Sequence, residues 1–251
     1  MRTCIAMFLI IAFFTALPKA QGVAANPTRP TFSDNAHPMA RGHLELELGG
    51  MFYRAGGVDW AATPWLLKLG VADPFEFKIG GTGFAYCGAD DGYFGYGNMV
   101  LFGKFRFLNQ KGMRPAMAAI LGVGLPTASK QIFGPSTDLY LLYLLSGKFG
   151  PMGWDINVGL NILGIDQDKT FFDIPAILTL SATIYGPLGV SLEFADYIPL
   201  SDQRNKLHLL GALTWTLHPR AIIDAAFVKG FGGAANWEVH LGFTATLAKL
   251  W

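Results

Sequence analysis

The chain carries five histidines, 18 carboxylates and two cysteines in 251 residues, and their spacing limits the chemistry open to it. A serine hydrolase needs a serine within reach of a histidine that a third group orients. None of His37, His43, His208, His218 and His240 has a serine two positions away on the same strand face, so no catalytic residue is assigned and no enzyme is expected. His43, Glu45, Glu238 and His240 form a tempting metal set, because the first and last strands of a closed sheet must pair. Strand direction defeats it. In antiparallel strands His43 falls near one end and His240 near the other, roughly 20–30 Å apart at about 3.3 Å per residue. Cys87 is left alone once an amino-terminal signal carrying Cys4 is removed, so no intramolecular disulfide is expected. Neither a metal nor a cofactor is expected.

The charged side chains say more. Side chains alternate between the two faces of a strand, and alternation puts Glu45, Glu47, Lys68, Glu76, Lys78, Lys104, Arg106, Arg114, Asp155, Glu193 and Asp224 on one face, opposite apolar neighbours. Turned toward lipid, each basic residue would cost about 2–4 kcal/mol at mid-depth. A barrel lumen is the alternative. Val100, Phe102, Ile120, Leu142 and Ile177 share the inward face toward the other end of the barrel. The bases fall on the second to fifth strands and most of the acids on the seventh, ninth, eleventh and first. A basic arc therefore opposes an acidic one. Unpaired charges in a dry lumen are too costly, which leaves a wet constriction or an ion-pair mesh. Clustering of the charges at one depth favours a narrow wet constriction.

The elements that must position these residues are strands. Trp237, Val239, Leu241, Phe243, Ala245, Leu247 and Trp251 put apolar residues at every second position, with Lys249 the one break. A long alternating strand that ends the chain on an aromatic residue suits the closing strand of an outer-membrane barrel, with Phe243 and Trp251 as an assembly signal. At the other end, Ile5–Leu17 is an apolar run too short to span a bilayer as a helix but long enough for a signal-peptide core. Val23, Ala24 and Ala25 offer a small-residue cleavage site, so residues 1–25 are read as a cleaved signal with a mature start at Asn26. Residues 26–41, with Pro27, Pro30 and Pro38, are read as a flexible leader.

Residues 42–251 divide into twelve candidate strands: about 43–53, 60–71, 75–85, 93–107, 113–125, 137–147, 153–163, 172–185, 189–198, 206–217, 220–229 and 237–251. Their connections alternate. Ala72–Pro74, Leu108–Gly112, Lys148–Met152, Gly186–Leu188 and His218–Pro219 are short and rich in Pro, Gly or Asn. Arg54–Asp59, Tyr86–Gly92, Pro126–Ser136, Gly164–Phe171, Pro199–Asn205 and Gly230–Asn236 are mostly longer. Short turns on one side and longer loops on the other are the pattern of an outer-membrane barrel. Aromatics near strand ends, among them Trp60, Trp65, Tyr96, Trp154, Tyr185, Tyr197 and Trp237, fit interfacial girdles. Half of the residues are hydrophobic and 15% are charged, which suits a barrel with an apolar outside and a mixed inside. Loss of Arg2 and Lys19 with the signal leaves 17 basic against 18 acidic side chains, and nothing in this balance points to a nucleic acid. The fold class expected is all-β: a transmembrane antiparallel up-and-down barrel of about twelve strands in the outer membrane of a Gram-negative-type cell. Its expected partners are outer-membrane lipid, the barrel-assembly machinery and a small-molecule solute.

In order along the chain, Gly42-His-Leu-Glu-Leu-Glu-Leu48, Gly70-Val-Ala-Asp-Pro-Phe-Glu-Phe77, Gly103-Lys-Phe-Arg-Phe107, Gly124-Leu-Pro-Thr127, Asn157-Val-Gly-Leu-Asn161, Ser191-Leu-Glu-Phe194 and Gly242-Phe243 resemble the outer-membrane family named for the MetA pathway of phenol degradation. The resemblance covers most of the mature chain. It implies a barrel that passes small, apolar or aromatic molecules, and it brings no catalytic motif. Passive passage of such solutes is the leading reading. A closed barrel with a structural or surface-interaction role is the alternative.

Overall fold

The computed structural model describes residues 23–89 and 91–251. Most of the expected signal segment lies outside these residues. Fifteen strands follow one another: β1 (His43–Ala55), β2 (Val58–Ala62), β3 (Trp65–Ala72), β4 (Phe75–Gly81), β5 (Phe84–Cys87), β6 (Tyr93–Tyr96), β7 (Met99–Leu108), β8 (Ala116–Leu125), β9 (Asp138–Phe149), β10 (Met152–Leu163), β11 (Phe171–Tyr185), β12 (Leu188–Pro199), β13 (Lys206–His218), β14 (Ala221–Gly232) and β15 (Trp237–Lys249). Twelve of them form a closed antiparallel ring in the order β1-β3-β4-β7, then β8 through β15, and β15 pairs back onto β1. The closing seam runs from His43 opposite Lys249 to Arg54 opposite Trp237. Closure leaves the ring without an unpaired edge.

The remaining strands extend the ring rather than add to it. β2, β5 and β6 continue β3, β4 and β7 past breaks at Thr63-Pro64, Thr82-Gly83 and Gly97-Asn98. Pro64 cannot donate to a ladder. Gly83 holds φ at 66°, and a side chain there would meet the Thr63 carbonyl oxygen at 2.2 Å. Beyond the breaks the strands pair as a flap on the outer half of β1. The Arg54–Asp59 connection, expected to be one of the longer loops, is instead a two-residue turn. Gly56 and Gly57 both hold positive φ, at 59° and 85°, as the favoured hairpin turn requires. Residues 126–136 fold against the flap: Ser129 donates its main-chain N–H to the Tyr96 carbonyl at 2.9 Å, and Ile132 packs with Ala62, Ala85 and Cys87.

The two faces of the ring differ as alternation requires. Leu121, Leu192, Leu213, Phe227 and Leu241 point outward and are more than half exposed. Such a belt would promote aggregation in water and is solvated by hydrocarbon in a membrane. Glu45, Glu47, Lys68, Glu76 and Lys104 point inward and are almost fully buried. Greasy outside and charged inside, the closed ring is a membrane-spanning barrel of the outer-membrane type. Phe243 lies midway along β15 between Leu48 and Ile223. Phe243→Arg places a charge on the lipid face and is expected to destabilise the barrel by about 2–4 kcal/mol; denaturant titration in detergent or vesicles measures it. Trp251 follows β15 and is half exposed. Its deletion is expected to lower the folded, heat-modifiable fraction in the membrane, as read on semi-native gels.

Candidate functional site: a filled lumen

Residues 26–41 occupy the barrel interior, where the sequence reading expected a flexible leader. Ala36 and Met39 are 0% and 1% exposed, and Ser33 and Asp34 are also buried. The segment rises from the short-turn end along β1, crosses the lumen near Phe32–Asp34, and descends past β9 and β4 to the start of β1. Its own amides hold it to the wall. Thr28 N–H donates to Glu47 at 2.8 Å, Phe32 and Ser33 N–H to Glu193 at 2.8 and 3.0 Å, and Asp34 N–H to Asn157 at 2.7 Å. Ala36 N–H donates to Ser146 Oγ at 2.7 Å and Met39 N–H to Glu76 at 2.5 Å. An irregular segment has no ladder to satisfy its N–H groups, and a buried one left unpaired is costly. The wall supplies side-chain acceptors where a sheet would supply carbonyls.

The charges complete the attachment. Asp34 lies between Lys78 and Lys104, with Lys104 Nζ 2.8 Å from Oδ1 and Lys78 in contact with Oδ2. Glu76 stands 3.3 and 3.4 Å from the same two ammonium groups. Lys68 is 2.6 Å from both Glu45 and Glu47. Arg29 of the plug reaches Asp224 at 3.6 Å and donates to the Leu241 carbonyl at 3.0 Å. Burial alone would raise the Asp34 carboxyl, but the adjoining Lys104 and Lys78 ammonium groups outweigh it and hold it well below the usual carboxylate range.

The lumen residues expected from alternation are mostly where it put them. Glu45, Glu47, Lys68, Glu76, Lys78, Lys104, Glu193 and Asp224 are buried and inward. Asp155 also faces in and accepts Ser146 Oγ at 2.5 Å. Arg106 lies at the short-turn rim, donating to the Asp73 carbonyl at 3.2 Å. Arg114 is a correction. It is exposed in the turn before β8, bridged to Lys111, because Pro115 cannot enter the ladder and the strand starts only at Ala116. The expected wet constriction is also corrected: at the depth of the charges, the plug fills the space. Nor do the two arcs meet each other directly. Lys68, Lys78 and Lys104 pair with acids on their own or an adjacent strand, the last two also with Asp34, while Glu193 takes plug amides and Asp224 takes Arg29. The residues that sequence reasoning missed are the plug's own Thr28, Arg29, Phe32, Ser33 and Asp34 and the wall's Ser146, Asn157 and Thr179.

Toward the long-loop end the plug meets inward-facing rings of the wall. The Phe32 ring lies 5.0 Å from the His208 ring and 5.9 Å from the His240 ring. His240 contacts Glu238 at 2.8 Å. Tyr197, expected in a girdle, turns inward and meets His208 edge-on. His43 pairs with Lys249 and His240 with Met51, at opposite stretches of β1. At the short-turn mouth, a cavity of about 510 Å³ is lined by Asn26, His37, Met39, Asp73 and Arg106.

The ring and its contents define a class, the outer-membrane-type barrel of twelve staves with an internal plug. Solved structures of similar fold include the COG4313 outer-membrane channel from Pseudomonas putida F1, with a TM-score of 0.66 at 10% identity over 87% of this chain and 100% of that one. The KdgM porin gives 0.60 at 4% identity, over 81% of this chain and 99% of that one. The NanC porin gives 0.59 at 9% identity, over 80% of this chain and 100% of that one. At these identities the likeness is one of fold. No protein-family model and no curated protein sequence matches the chain.

Proposed function

We propose that this barrel is an outer-membrane channel for passive passage of small solutes, closed at rest by residues 26–41 and opened by partial release of that segment. One observation carries the reading: the wall behind the plug is charged. Glu45, Glu47, Lys68, Glu76, Lys78, Lys104 and Glu193 are satisfied by the plug or by one another, and water can replace the plug's share of those contacts. A barrel sealed for good could be filled by apolar side chains, and the apolar clusters inside this one are small. The channel and porin folds similar to this one support the same reading. The buried mesh favours one other reading, a permanently closed structural barrel. Bilayer recordings separate the two: brief openings are expected of the wild type, and a silent membrane at all voltages would leave the structural barrel.

Apolar or aromatic molecules are the solutes proposed. Phe32, Tyr197 and the rings of His208 and His240 cluster on the inner face at the long-loop side of the plug, and aromatic faces favour flat apolar guests. The resemblance to the phenol-degradation-pathway family belongs to this proposal. Vesicle uptake of a phenol compared with a sugar of similar size tests it, with faster uptake of the phenol expected. In the open state, neutralising Lys104 and Arg106 together is expected to shift ion selectivity toward cations.

Acid should loosen the plug in two stages. Burial pushes the His37 imidazole down, and the cations Arg106, Lys104 and Lys148 add to the effect. The released segment then binds protons that the docked one refuses, so docking weakens as pH falls below the ordinary histidine value of about 6.5. Asp34 acts later. Its docked carboxyl is lowered, so its contribution is complete above about 3.9 and is lost only as pH falls further. More frequent openings from pH 7 to 5, flattened in His37→Gln, are the expected result in bilayer recordings.

A further inference from the structure

The buried lysines around the plug gather carboxylates into two groups, and one of them does not balance. Asp34 and Glu76 face Lys78 and Lys104, two carboxylates against two ammonium groups. Glu45 and Glu47 face Lys68, the one ammonium the described residues bring to them. These three side chains are 0%, 1% and 1% exposed, and a second carboxylate beside a single ammonium in such a place is unfavourable unless further donors compensate it.

A further nitrogen already points at the pair. The main-chain N–H of Asn26 donates to Glu45 Oε2 at 2.8 Å, and Thr246 Oγ1 donates to the same oxygen at 3.1 Å. The Asn26 carbonyl accepts Lys68 Nζ at 2.5 Å. Its side chain is fixed as well, donating to the His37 carbonyl at 2.9 Å and accepting from Asn35 at 3.0 Å. Asn26 thus closes a ring of Glu45, Lys68 and its own main chain. It also directly follows Val23, Ala24 and Ala25, where the sequence offers a processing site.

We propose that hydrolysis of the Ala25–Asn26 bond makes this nitrogen an α-ammonium that pairs with Glu45, so that removal of the signal is what locks the plug. Water adds across the peptide bond, Ala25 leaves as a carboxylate, and the new amine takes up a proton from solvent. With an ordinary value of about 8, an α-amine is protonated at pH 7. One N–H becomes three and gains a full charge. Glu45, Glu47, Lys68 and the new terminus then sum to zero, like the group around Asp34. Cleavage gives up the hydrogen bond from Ala25 N–H to the Pro219 carbonyl, 2.8 Å long, which is neutral and weaker than a charge-assisted one. This inference stands apart from solute passage and holds whether or not the barrel conducts.

Three readouts on protein expressed from the whole sequence and recovered from the membrane test it. Intact mass should correspond to a chain starting at Asn26; a chain retaining any earlier residue overturns the proposal. An amine-reactive reagent at pH 7 should label the terminus of the folded barrel at least about tenfold more slowly than that of the heat-unfolded chain, because the paired ammonium has little free amine. Equal rates would overturn it. Glu45→Gln supplies a test by sign. In a chain starting at Asn26 it leaves two cations against Glu47 alone, so terminal labelling of the folded barrel should speed up and the unfolding temperature should fall. If Glu45→Gln leaves both unchanged or raises the unfolding temperature, no ammonium sits there. Where Glu45→Gln does not fold, the wild-type labelling ratio decides alone.

Discussion

Deleting residues 28–39 is expected to turn a mostly closed barrel into a continuously conducting one. The deletion removes the amides that hold Glu47, Glu193, Asn157, Ser146 and Glu76 and the carboxylate between Lys78 and Lys104. These wall groups must then find other partners, and water is the one available in a lumen open to solvent. The barrel should survive, because its ladders and its β1–β15 seam are independent of the plug. Bilayer recordings of the deletion variant measure the effect. A folded, heat-modifiable variant that stays silent would mean the lumen collapses or is closed elsewhere, for instance by residues 126–136 at the flap.

Asp34→Asn should come next in size. The substitution keeps the shape but leaves Lys78 and Lys104 with Glu76 as their remaining carboxylate partner. Removing one partner of a buried ion pair costs about 3–5 kcal/mol. With the proposed opening, in which the plug leaves, the cost appears as release. At about 1.4 kcal/mol per factor of ten, the open population should rise by roughly a hundredfold or more. Open probability in single-channel records, compared with protease accessibility of residues 26–41 from the short-turn side, checks it. An unchanged open probability would mean that the ion pairs add nothing to docking.

The ring was legible in the sequence because lipid and lumen impose opposite demands on alternate residues. Leu241 and Phe243 could only face out, and Glu45 and Glu47 only in. The same logic misplaced Arg114, since parity alone does not reveal that Pro115 delays the start of β8. The flap was half visible: the strands were found at nearly their full length, but Pro64 and Gly83 were not read as breaks. Residues 26–41 were the real loss. The segment has three prolines, little apolar area and no period, the composition of a free leader. It is held through its main chain, which sequence does not advertise. One signal did exist. Glu193 is an inward carboxylate on a strand without an inward base, and such a group needs donors from somewhere. In the structure they are the Phe32 and Ser33 amides and Thr179.

The most direct test of the account is a reversible lock between plug and wall. The Ala36 amide lies 2.7 Å from Ser146 Oγ, which with covalent geometry keeps the two Cα atoms within about 6 Å, inside the span of a disulfide. Ala36→Cys with Ser146→Cys, in a Cys87→Ser background, should form a disulfide that holds the segment in the lumen. Single-channel recordings of the oxidised protein should be silent, and a reductant should restore openings at the wild-type frequency. Equal conductance before and after reduction would contradict the claim that the segment's release opens the barrel, and so would silence in both states.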